Sequence, residues 1–319
     1  KRANTFETRS CSIGKDGFEI NKLSDYFREN LTKTEFRNSD SWVILSPIEQ
    51  SIKRKIEEIG TPLKDWDVNI YRGILTGYND AFIISGEKRN ELLAACATEE
   101  ERMRTDELIR PILRGRDIKR YNYEFADLYI IATFPAKHYH IDDYPAVKAH
   151  LLSYGIERLE QTGKEYTING EKIKARKKTN NQWFETQDSI SYWDDFNKQK
   201  IVWGNLNLAA SFTYAPEGMY INAPATMIVP CNKAILAMLN SKLADYYIRN
   251  LGVTRNGGYF EYKPMFIEKL PIPNNIQSIG LDVLVDQQMN GYDVEDQINQ
   301  KIYTLFNLSM DEIKVIEGN

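Results

Sequence analysis

Apolar residues recur at helical spacing in several stretches of the chain. Over 46–59, the isoleucines at positions 48, 52, 56 and 59 share one helical face, and the turn chemistry of 60–62 ends the helix. A second helix is predicted over 88–108, with Pro111 as its stop. Further helices are predicted over 142–163, from Asn232 to Gly252, and in the tail over 293–306 and 311–317.

Strand signals lie between these helices. Residues 68–75 and 81–84 are predicted as two strands joined by the polar turn 76–80, and 128–133 as a buried strand. Strands and helices mix without a regular β-α-β alternation, so the sequence predicts an α+β fold with a mixed β-sheet, packed helices and a helical C-terminal tail. The remaining predicted extended segments are a meander over 201–208, 211–214, 219–221 and 226–229, and the proline-rich 270–274.

Composition limits the class of protein without selecting a function. The 319 residues are 42% hydrophobic, enough for one large domain or two moderate ones. No apolar run approaches the ~20 residues needed to cross a bilayer. The three cysteines lie far apart, which argues against a disulfide framework and for a cytoplasmic location. The chain begins with Lys1 rather than Met, and we expect it to be a piece of a longer protein.

Charge is unevenly distributed along the chain. Eight acidic residues against two lysines give 278–319 a net charge of −6, which leaves +2 for 1–277 out of the total of −4. A nucleic-acid partner requires local rather than overall positive potential, so the total charge permits one. Two dense clusters supply such local charge, one holding Arg110, Arg114, Arg116, Lys119 and Arg120, the other Lys172, Lys174, Arg176, Lys177 and Lys178.

These clusters admit two interpretations. Arginine and asparagine can read base edges while lysine neutralises phosphate, so the clusters could hold a duplex. A charge cluster can also be an ordinary solvated surface, and Asp117 could simply pair with Arg114 or Arg116. Composition alone does not decide between them.

Several catalytic motifs are absent. The sequence has no G-x-x-x-x-G-K-[ST] run, no G-x-G-x-x-G run and no Asn-Pro-Pro-aromatic loop of an amino-methyltransferase. A Mg²⁺ nuclease could use Glu261 and Lys263, although such a short pattern arises readily by chance. His138 and His140 could hold a metal, but a polar loop before a helix explains them as well. We therefore predict no catalytic residue and no metal site in this chain.

Six segments, taken in order, carry a family resemblance: YRGILTGYNDAFII (71–84), IRPILRGRDI (109–118), KIVW (200–203), AMLNSKL (237–243), LPIP (270–273) and the tail 302–316. Their order and spacing resemble the C-terminal specificity (target-recognition) domain of TaqI-like adenine-specific DNA methyltransferases. Fused type II restriction-modification enzymes share this domain. The resemblance covers roughly residues 42–316.

The resemblance implies a bacterial restriction-modification protein in which this chain recognises double-stranded DNA and is not itself catalytic. Its partner would be an N-terminal methyltransferase domain of the same polypeptide, which binds S-adenosylmethionine and flips an adenine out of the duplex. The expected division is 1–41 as a lead-in from that domain, 42–275 as the recognition domain and 276–319 as an acidic helical tail. Whether the parent also cleaves DNA is left open.

We hypothesise that Tyr78, Asn79 and the arginines around Gly115 face the duplex, while four residues of the second cluster clamp phosphate, namely Lys174, Arg176, Lys177 and Lys178. Two alternatives stay open: a Mg²⁺-dependent DNA nuclease that uses Glu261 and Lys263, and a protein-interaction module whose acidic tail docks a partner. The full set of predicted DNA-binding residues is Arg72, Tyr78, Asn79, Arg114, Arg116, Lys119, Arg120, Lys174, Arg176, Lys177, Lys178, Trp183, Arg255 and Asn256.

Overall fold

Helices and strands are interspersed along the chain in a computed structural model, which describes residues 7–11, 23–29, 31–35, 45–251 and 258–318. The helices are α1 (Leu23–Glu29), α2 (Pro47–Ile59), α3 (Asn79–Phe82), α4 (Gly86–Ala94), α5 (Glu99–Leu108), α6 (Pro145–Leu152), α7 (Ile156–Leu159), α8 (Lys233–Asn240), α9 (Lys242–Leu251), α10 (Pro264–Ile267), α11 (Leu281–Met289), α12 (Glu295–Leu305) and α13 (Met310–Glu317). The strands are β1 (Glu7–Ser10), β2 (Thr32–Glu35), β3 (Gly60–Pro62), β4 (Asn69–Arg72), β5 (Ile83–Ser85), β6 (Ile109–Leu113), β7 (Ile118–Lys119), β8 (Asn122–Tyr123), β9 (Leu128–Ile131), β10 (Glu165–Ile168), β11 (Glu171–Lys174), β12 (Lys200–Trp203), β13 (Leu206–Asn207), β14 (Phe212–Ala215), β15 (Tyr220–Ile221), β16 (Thr226–Val229), β17 (Phe260–Glu261) and β18 (Pro271–Pro273).

Two four-stranded sheets form the centre of the fold. The first is antiparallel, in the order β14-β12-β16-β4. The second is mixed, in the order β15-β6-β9-β5, because β15 runs parallel to β6. The sheets share one buried cluster, to which Val202 and Met227 contribute from the first sheet and Ile112 and Ile130 from the second. The predicted α+β class with a mixed sheet is confirmed.

Helical layers cover the outer faces of both sheets. Along β12, Ile201 and Trp203 pack against α2, α8, α9 and the tail helices, whereas Val202 belongs to the cluster between the sheets. This alternation is the period of two that a strand imposes on its side chains. Helices α3 to α7 cover the second sheet, where Phe82 and Val147 pack with Ile131.

Helix α2 forms where the sequence predicts it. The Ser46 backbone N–H donates to Glu49 Oε2 at 2.7 Å, and the Glu49 N–H donates to Ser46 Oγ at 3.4 Å, which makes a capping box. Ile52 and Ile56 are fully buried, while Ile48 is only half-buried. The predicted apolar stripe thus faces the core.

Three long predicted helices are each divided in two, which corrects the prediction. The stretch over 88–108 forms α4 and α5, because the Thr98 side chain accepts a hydrogen bond from the Glu101 N–H at 3.1 Å and starts a new helix. The stretch over 142–163 forms α6 and α7. The stretch from Asn232 forms α8 and α9, because Ser241 is extended with ψ 152°.

The strands are arranged differently from the predicted order along the chain in two places. Strands β4 and β5 do not pair with each other: β4 lies beside β16, β5 lies beside β9, and α3 intervenes. The predicted meander is also broken, since β15 joins the second sheet.

Pro111 does not end a helix but lies within β6. Pro111 pairs with Tyr129 of β9, whereas the pairing of β6 with β15 begins only at Ile112. Proline has no backbone N–H to donate, and at this position no hydrogen bond to β15 is lost.

The tail packs on the same core as the rest of the chain. Helices α12 and α13 confirm the two tail helices that were predicted, while α11 was not predicted. Ile302 lies in one buried cluster with Ile52, and the buried Glu312 carboxylate accepts hydrogen bonds from Ser51 at 2.8 Å and Lys55 at 2.7 Å. Residues 276–318 therefore share their hydrophobic core with the preceding segment, and the functional division at 275 stays a prediction. Within the described ranges, no helix has the length and apolar character to span a membrane.

Candidate nucleic-acid interface

One end of the first sheet collects several of the predicted residues. In the sheet register, Phe212 pairs with Trp203, Trp203 with Thr226, and Thr226 with Arg72. These four residues therefore stand side by side at one end, which we call the loop end of the first sheet. Arg72 is the exposed member of this row.

Four connecting segments meet at the loop end. One of them is placed there by a close approach of two backbones: a Cβ atom on Gly204 would lie 3.0 Å from the Gly115 carbonyl oxygen. Only glycine permits this contact without a shift of the neighbouring chain. The segments are 73–79, 114–117, 204–211 and 222–225.

The buried side chain of Asn222 joins two of these segments. Its backbone N–H donates to the Leu113 carbonyl at 2.8 Å, and its amide nitrogen donates to the Ile74 carbonyl at 3.1 Å and to Asn79 Oδ1 at 3.4 Å. Because Arg114 directly follows Leu113, this network places the Asn79 turn beside the arginine turn. The sequence reasoning did not single out Asn222, and no local pattern marks it.

Asn79 is held in place by its own turn. Thr76 Oγ1 donates to Asn79 Oδ1 at 2.7 Å, and the Tyr78 N–H donates to Thr76 Oγ1 at 3.2 Å. Thr76 is buried, whereas Asn79 is exposed. The hydrogen bonds from Thr76 and Asn222 both engage the Asn79 side-chain oxygen, so its amide N–H groups can donate to a ligand.

The two predicted aromatic residues pack mainly against the protein. The Tyr78 ring meets Tyr154 edge-on with centroids 5.9 Å apart, and the Arg158 guanidinium lies 5.4 Å from the Tyr78 ring centre. Trp183 packs edge-on against Phe184 at 5.6 Å. Tyr78 and Trp183 are each half-buried, and a DNA contact by either remains a prediction.

Arg114 and Arg116 differ in what they can contact. Arg114 forms a two-point ion pair with Asp117, with Nε to Oδ2 at 2.9 Å and Nη2 to Oδ1 at 2.7 Å, and its backbone N–H donates to the same carboxylate. Burial alone would raise the pKa of Asp117, but the hydrogen bonds from Arg114 outweigh it and the pKa is lowered. Arg114 thus fixes the turn, and the exposed Arg116 projects from it.

Arg120 joins two parts of the protein. Its guanidinium forms a two-point ion pair with Glu295 of α12, at 2.5 Å from Nε and 2.7 Å from Nη2, and Nη1 donates to the Ala210 carbonyl at 3.1 Å. These contacts engage all three nitrogens and give Arg120 a structural role, while its predicted DNA contact remains a prediction. Lys119 is exposed, and its amine donates to the Arg116 carbonyl at 2.9 Å.

The predicted phosphate contact of Arg176 is wrong. It is only 4% exposed, so it cannot clamp phosphate as the sequence suggested. Its guanidinium stacks over the Phe82 ring at 5.0 Å. The remaining contacts are hydrogen bonds that it donates to four carbonyls at 2.7–2.8 Å, those of Leu159, Thr76, Glu185 and Trp183. A buried arginine whose donors are paired in this way stabilises loops rather than binding a ligand.

The other cations of the second cluster are accessible. Lys174, Lys177 and Lys178 are exposed. Burial raises the pKa of Asp188, although the charges of Arg72 and Lys177 act in the opposite direction. The Lys177 carbonyl accepts a hydrogen bond from Gln187 Nε2 at 2.9 Å, and the Gln187 N–H donates to the Leu75 carbonyl at 3.0 Å. These contacts place part of the second cluster beside the 73–79 segment of the loop end.

A polar groove next to Arg72 was missed by the sequence reasoning. It has a volume of about 440 Å³ and is lined by residues of 179–192 that include Asn181 and Asp188. Tyr192 stacks on Tyr71 with centroids 4.3 Å apart, and its hydroxyl donates to the Arg72 carbonyl at 2.8 Å. One continuous segment lines this groove, but no residue spacing in the sequence predicts how that segment folds back beside Arg72.

Two predicted DNA contacts and the proposed nuclease pair complete the set of residues singled out in the sequence. Arg255 and Asn256 lie outside the described residues. Glu261 and Lys263, the proposed nuclease pair, form an ion pair with each other at 2.7 Å. Within the described part of the chain, no three His, Cys, Asp or Glu side chains lie close enough together to hold a metal ion.

Comparison with known proteins finds one matching family model and two solved structures of similar fold. A family model described as the TaqI-like C-terminal specificity domain matches residues 110–272, slightly more than half of the chain. The type IIL restriction-modification enzyme MmeI, solved in complex with DNA, matches with a TM-score of 0.55 at 9% identity, over 90% of this chain and 39% of that chain. The type IIG restriction endonuclease BpuSI matches with a TM-score of 0.50 at 13% identity, over 85% and 31%.

These structural matches concern the fold, because identity is low. The chain spans well under half of the length of either enzyme. Comparison with curated proteins found no significant match.

Proposed function

Because the chain belongs to the family of TaqI-like C-terminal specificity domains, we propose that it recognises a specific sequence in double-stranded DNA and is not itself catalytic. The observation that carries this proposal is the Asn222 network, which holds the exposed Asn79 beside the turn that presents Arg116. Asparagine pairs with adenine and arginine with guanine through two-point hydrogen bonds in the major groove.

The proposal separates two kinds of contact. Asn79 and Arg116 stand on turns that are already hydrogen-bonded, so their backbone loses little conformational entropy when they bind. Arg72, Lys177 and Lys178 are exposed cations near the same end of the sheet, and they supply contacts to phosphate. Base contacts then set the sequence preference, and phosphate contacts set the orientation.

We propose further that the parent protein carries an adenine-N6 methyltransferase domain that uses S-adenosylmethionine in the bacterial cytoplasm. Transfer to one adenine among many needs a second surface that sets register, since a wrong base pair must cost ~1–3 kcal/mol. The support is the family together with the resemblance of six segments to such enzymes. The full-length parent should transfer a labelled methyl group to adenine in the recognised duplex, and transfer to another base would contradict this part of the proposal.

The DNA-binding proposal is tested by selection. The 319-residue chain is mixed with duplexes that carry a randomised central segment, and bound duplexes are sequenced over several rounds. We expect a defined sequence to emerge, and log K for it to fall with log salt by ~0.9 for each phosphate contacted. Recovery of no preferred sequence, or binding that ignores salt, would overturn the proposal.

Variants divide the roles. Asn79→Ala and Arg116→Ala should each reduce the preference for the selected duplex over a scrambled one, by about 5- to 150-fold, since each base contact contributes ~1–3 kcal/mol. Lys177→Ala combined with Lys178→Ala should weaken all duplexes alike and reduce the salt slope. Arg54→Ala, an exposed arginine on α2, is the matched control and should change neither quantity. Equal effects from Arg54 and Arg116 would show that the interface is misplaced.

A further inference from the structure

A two-stranded hairpin with no buried residue follows α7. Strands β10 and β11 pair with Glu165 opposite Lys174 and Thr167 opposite Lys172. Asn169 and Gly170 connect them, with φ of 53° and 84°. Positive φ at both central residues is the mark of a type I′ turn, whose twist matches that of a two-residue hairpin. We call residues 165–174 the β-ribbon.

The β-ribbon contributes nothing to the hydrophobic core. None of its ten residues is buried. On one face Glu165, Thr167, Lys172 and Lys174 are all exposed, while the opposite face carries half-buried residues such as Tyr166. An isolated two-stranded hairpin is at best marginally stable in water. Because the β-ribbon buries so little surface, it adds little to the stability of the fold. Binding of a ligand explains its presence better than a structural role does.

The base of the β-ribbon is tied firmly to the protein. The Gly163 N–H donates to the Arg176 carbonyl, and the Ala175 N–H to the Lys164 carbonyl, each at 2.9 Å. The Tyr166 hydroxyl donates to Glu160 Oε2 at 2.6 Å. The β-ribbon is therefore held at its base and free along its exposed face.

Arg176 also connects this base to the loop end. Its backbone closes the ribbon, and its guanidinium donates to the Thr76 carbonyl at 2.7 Å, three residues before Asn79. The buried arginine thus sets the position of the β-ribbon relative to the turn that presents Asn79. Lys177 and Lys178 follow immediately and are exposed.

We propose that the β-ribbon is an arm that enters the major groove of the bound duplex, which deepens the proposed function and rests on it. The major groove is ~12 Å wide and admits a two-stranded ribbon. The exposed face offers a hydroxyl, two ammonium groups and a carboxylate but no apolar side chain, which suits base edges and phosphates. A protein partner would instead be expected to meet an apolar centre on such a face.

A shortened β-ribbon tests this inference. Deletion of Thr167, Ile168, Glu171 and Lys172 removes two residues from each strand, so the pairing phase and the Asn169-Gly170 turn are retained. One acid and one lysine are lost together, so the net charge is unchanged. Because no buried residue is removed, the thermal unfolding temperature should stay the same. The selected duplex should bind about tenfold more weakly or worse, while a scrambled duplex should bind almost unchanged.

The groove is identified by modified bases. In the selected duplex, 7-deazapurines replace the purines one base pair at a time and remove the N7 acceptor from the major groove. With the intact chain, positions under the β-ribbon should lose about fivefold or more in affinity, as one hydrogen bond of ~1 kcal/mol requires. With the shortened chain the same positions should lose less than about twofold. Thr167→Ala with Lys172→Ala in the full-length ribbon should reproduce this loss of coupling, and Arg54→Ala should not.

The outcomes separate the two proposals. If the unaltered chain selects a sequence and the shortened chain binds it equally well, or no 7-deaza position couples to the ribbon, the β-ribbon inference is overturned and the proposed function stands. If the unaltered chain selects no sequence at all, both are overturned.

Discussion

At the scale of single residues, burial decides what a cation does. Arg116 and Arg176 belong to similar basic runs, yet Arg116 is exposed and Arg176 is 4% exposed with its donors on carbonyls. Lys200 is more extreme, since it is fully buried and its amine donates to the Pro216 and Met219 carbonyls at 3.0 and 2.9 Å. Burial lowers the pKa of Lys200 to about 8.

This pKa predicts a pH dependence of stability. Below pH 8 Lys200 is protonated in both states, whereas between about pH 8 and 10.5 the unfolded chain binds more protons than the folded one. The free energy of unfolding should therefore rise with pH in this window, by up to about 3 kcal/mol relative to Lys200→Met. Urea denaturation of the unaltered chain and of Lys200→Met from pH 7 to 10.5 measures the difference in their free energies of unfolding. Both proteins contain the same tyrosines, so the effect of tyrosine titration cancels in this difference. A difference that stays constant with pH contradicts the prediction.

At the scale of elements, one polar side chain can both end a helix and fix the position of a neighbouring strand by hydrogen bonds. Asn240 ends α8 and is buried, and its side chain accepts from the Phe212 N–H at 3.0 Å and donates to the Phe212 carbonyl at 2.9 Å. It thereby serves as a hydrogen-bonding partner for strand β14 at the loop end. Ser241 then starts α9 by accepting from the Ala244 N–H at 3.0 Å. Apolar spacing runs through this junction unbroken, so periodicity alone predicts one helix.

Removal of the Asn240 amide should destabilise the protein. Asn240→Ala leaves the buried Phe212 N–H without its acceptor, and we expect the free energy of unfolding to fall by about 1–3 kcal/mol. Asn90→Ala on α4 is the control, because Asn90 is exposed and its replacement should stay within about 0.5 kcal/mol. Chemical denaturation compares the two, and equal effects would mean that Asn240 does not support β14.

At the scale of the whole molecule, the acidic tail is tied to the rest of the protein by specific polar contacts as well as by apolar packing. Arg120 follows strand β7 and pairs with Glu295 of α12, and Lys55 of α2 pairs with Glu312 of α13. Both carboxylates lie in the segment whose net charge is −6. Part of that charge therefore neutralises internal cations instead of facing a partner.

A double-mutant cycle should show this coupling. Arg120 and Glu295 side chains are 27% and 31% exposed, and we expect Arg120→Ala and Glu295→Ala to couple by about 1 kcal/mol. The exposed pair Lys314 and Asp311, at 61% and 78%, should couple by no more than about 0.3 kcal/mol. Affinity of folded Arg120→Ala for the selected duplex should match that of the unaltered chain. A selective loss of DNA affinity without loss of stability would restore Arg120 to the interface.

The sequence by itself determined the fold class, helix α2 with its cap, most of the strands, and the family, because these depend on local periodicity, capping chemistry and the order of motifs. It could not separate Arg116 from Arg176, or place Asn222 beside Asn79, because burial and partners depend on segments that are distant in the chain. Only the tertiary structure brought four separate loops to one end of a sheet and showed which cations there are accessible to a ligand. The physical reason is that a hydrogen bond or an ion pair forms between groups that are close in space, and local sequence constrains only neighbours along the chain.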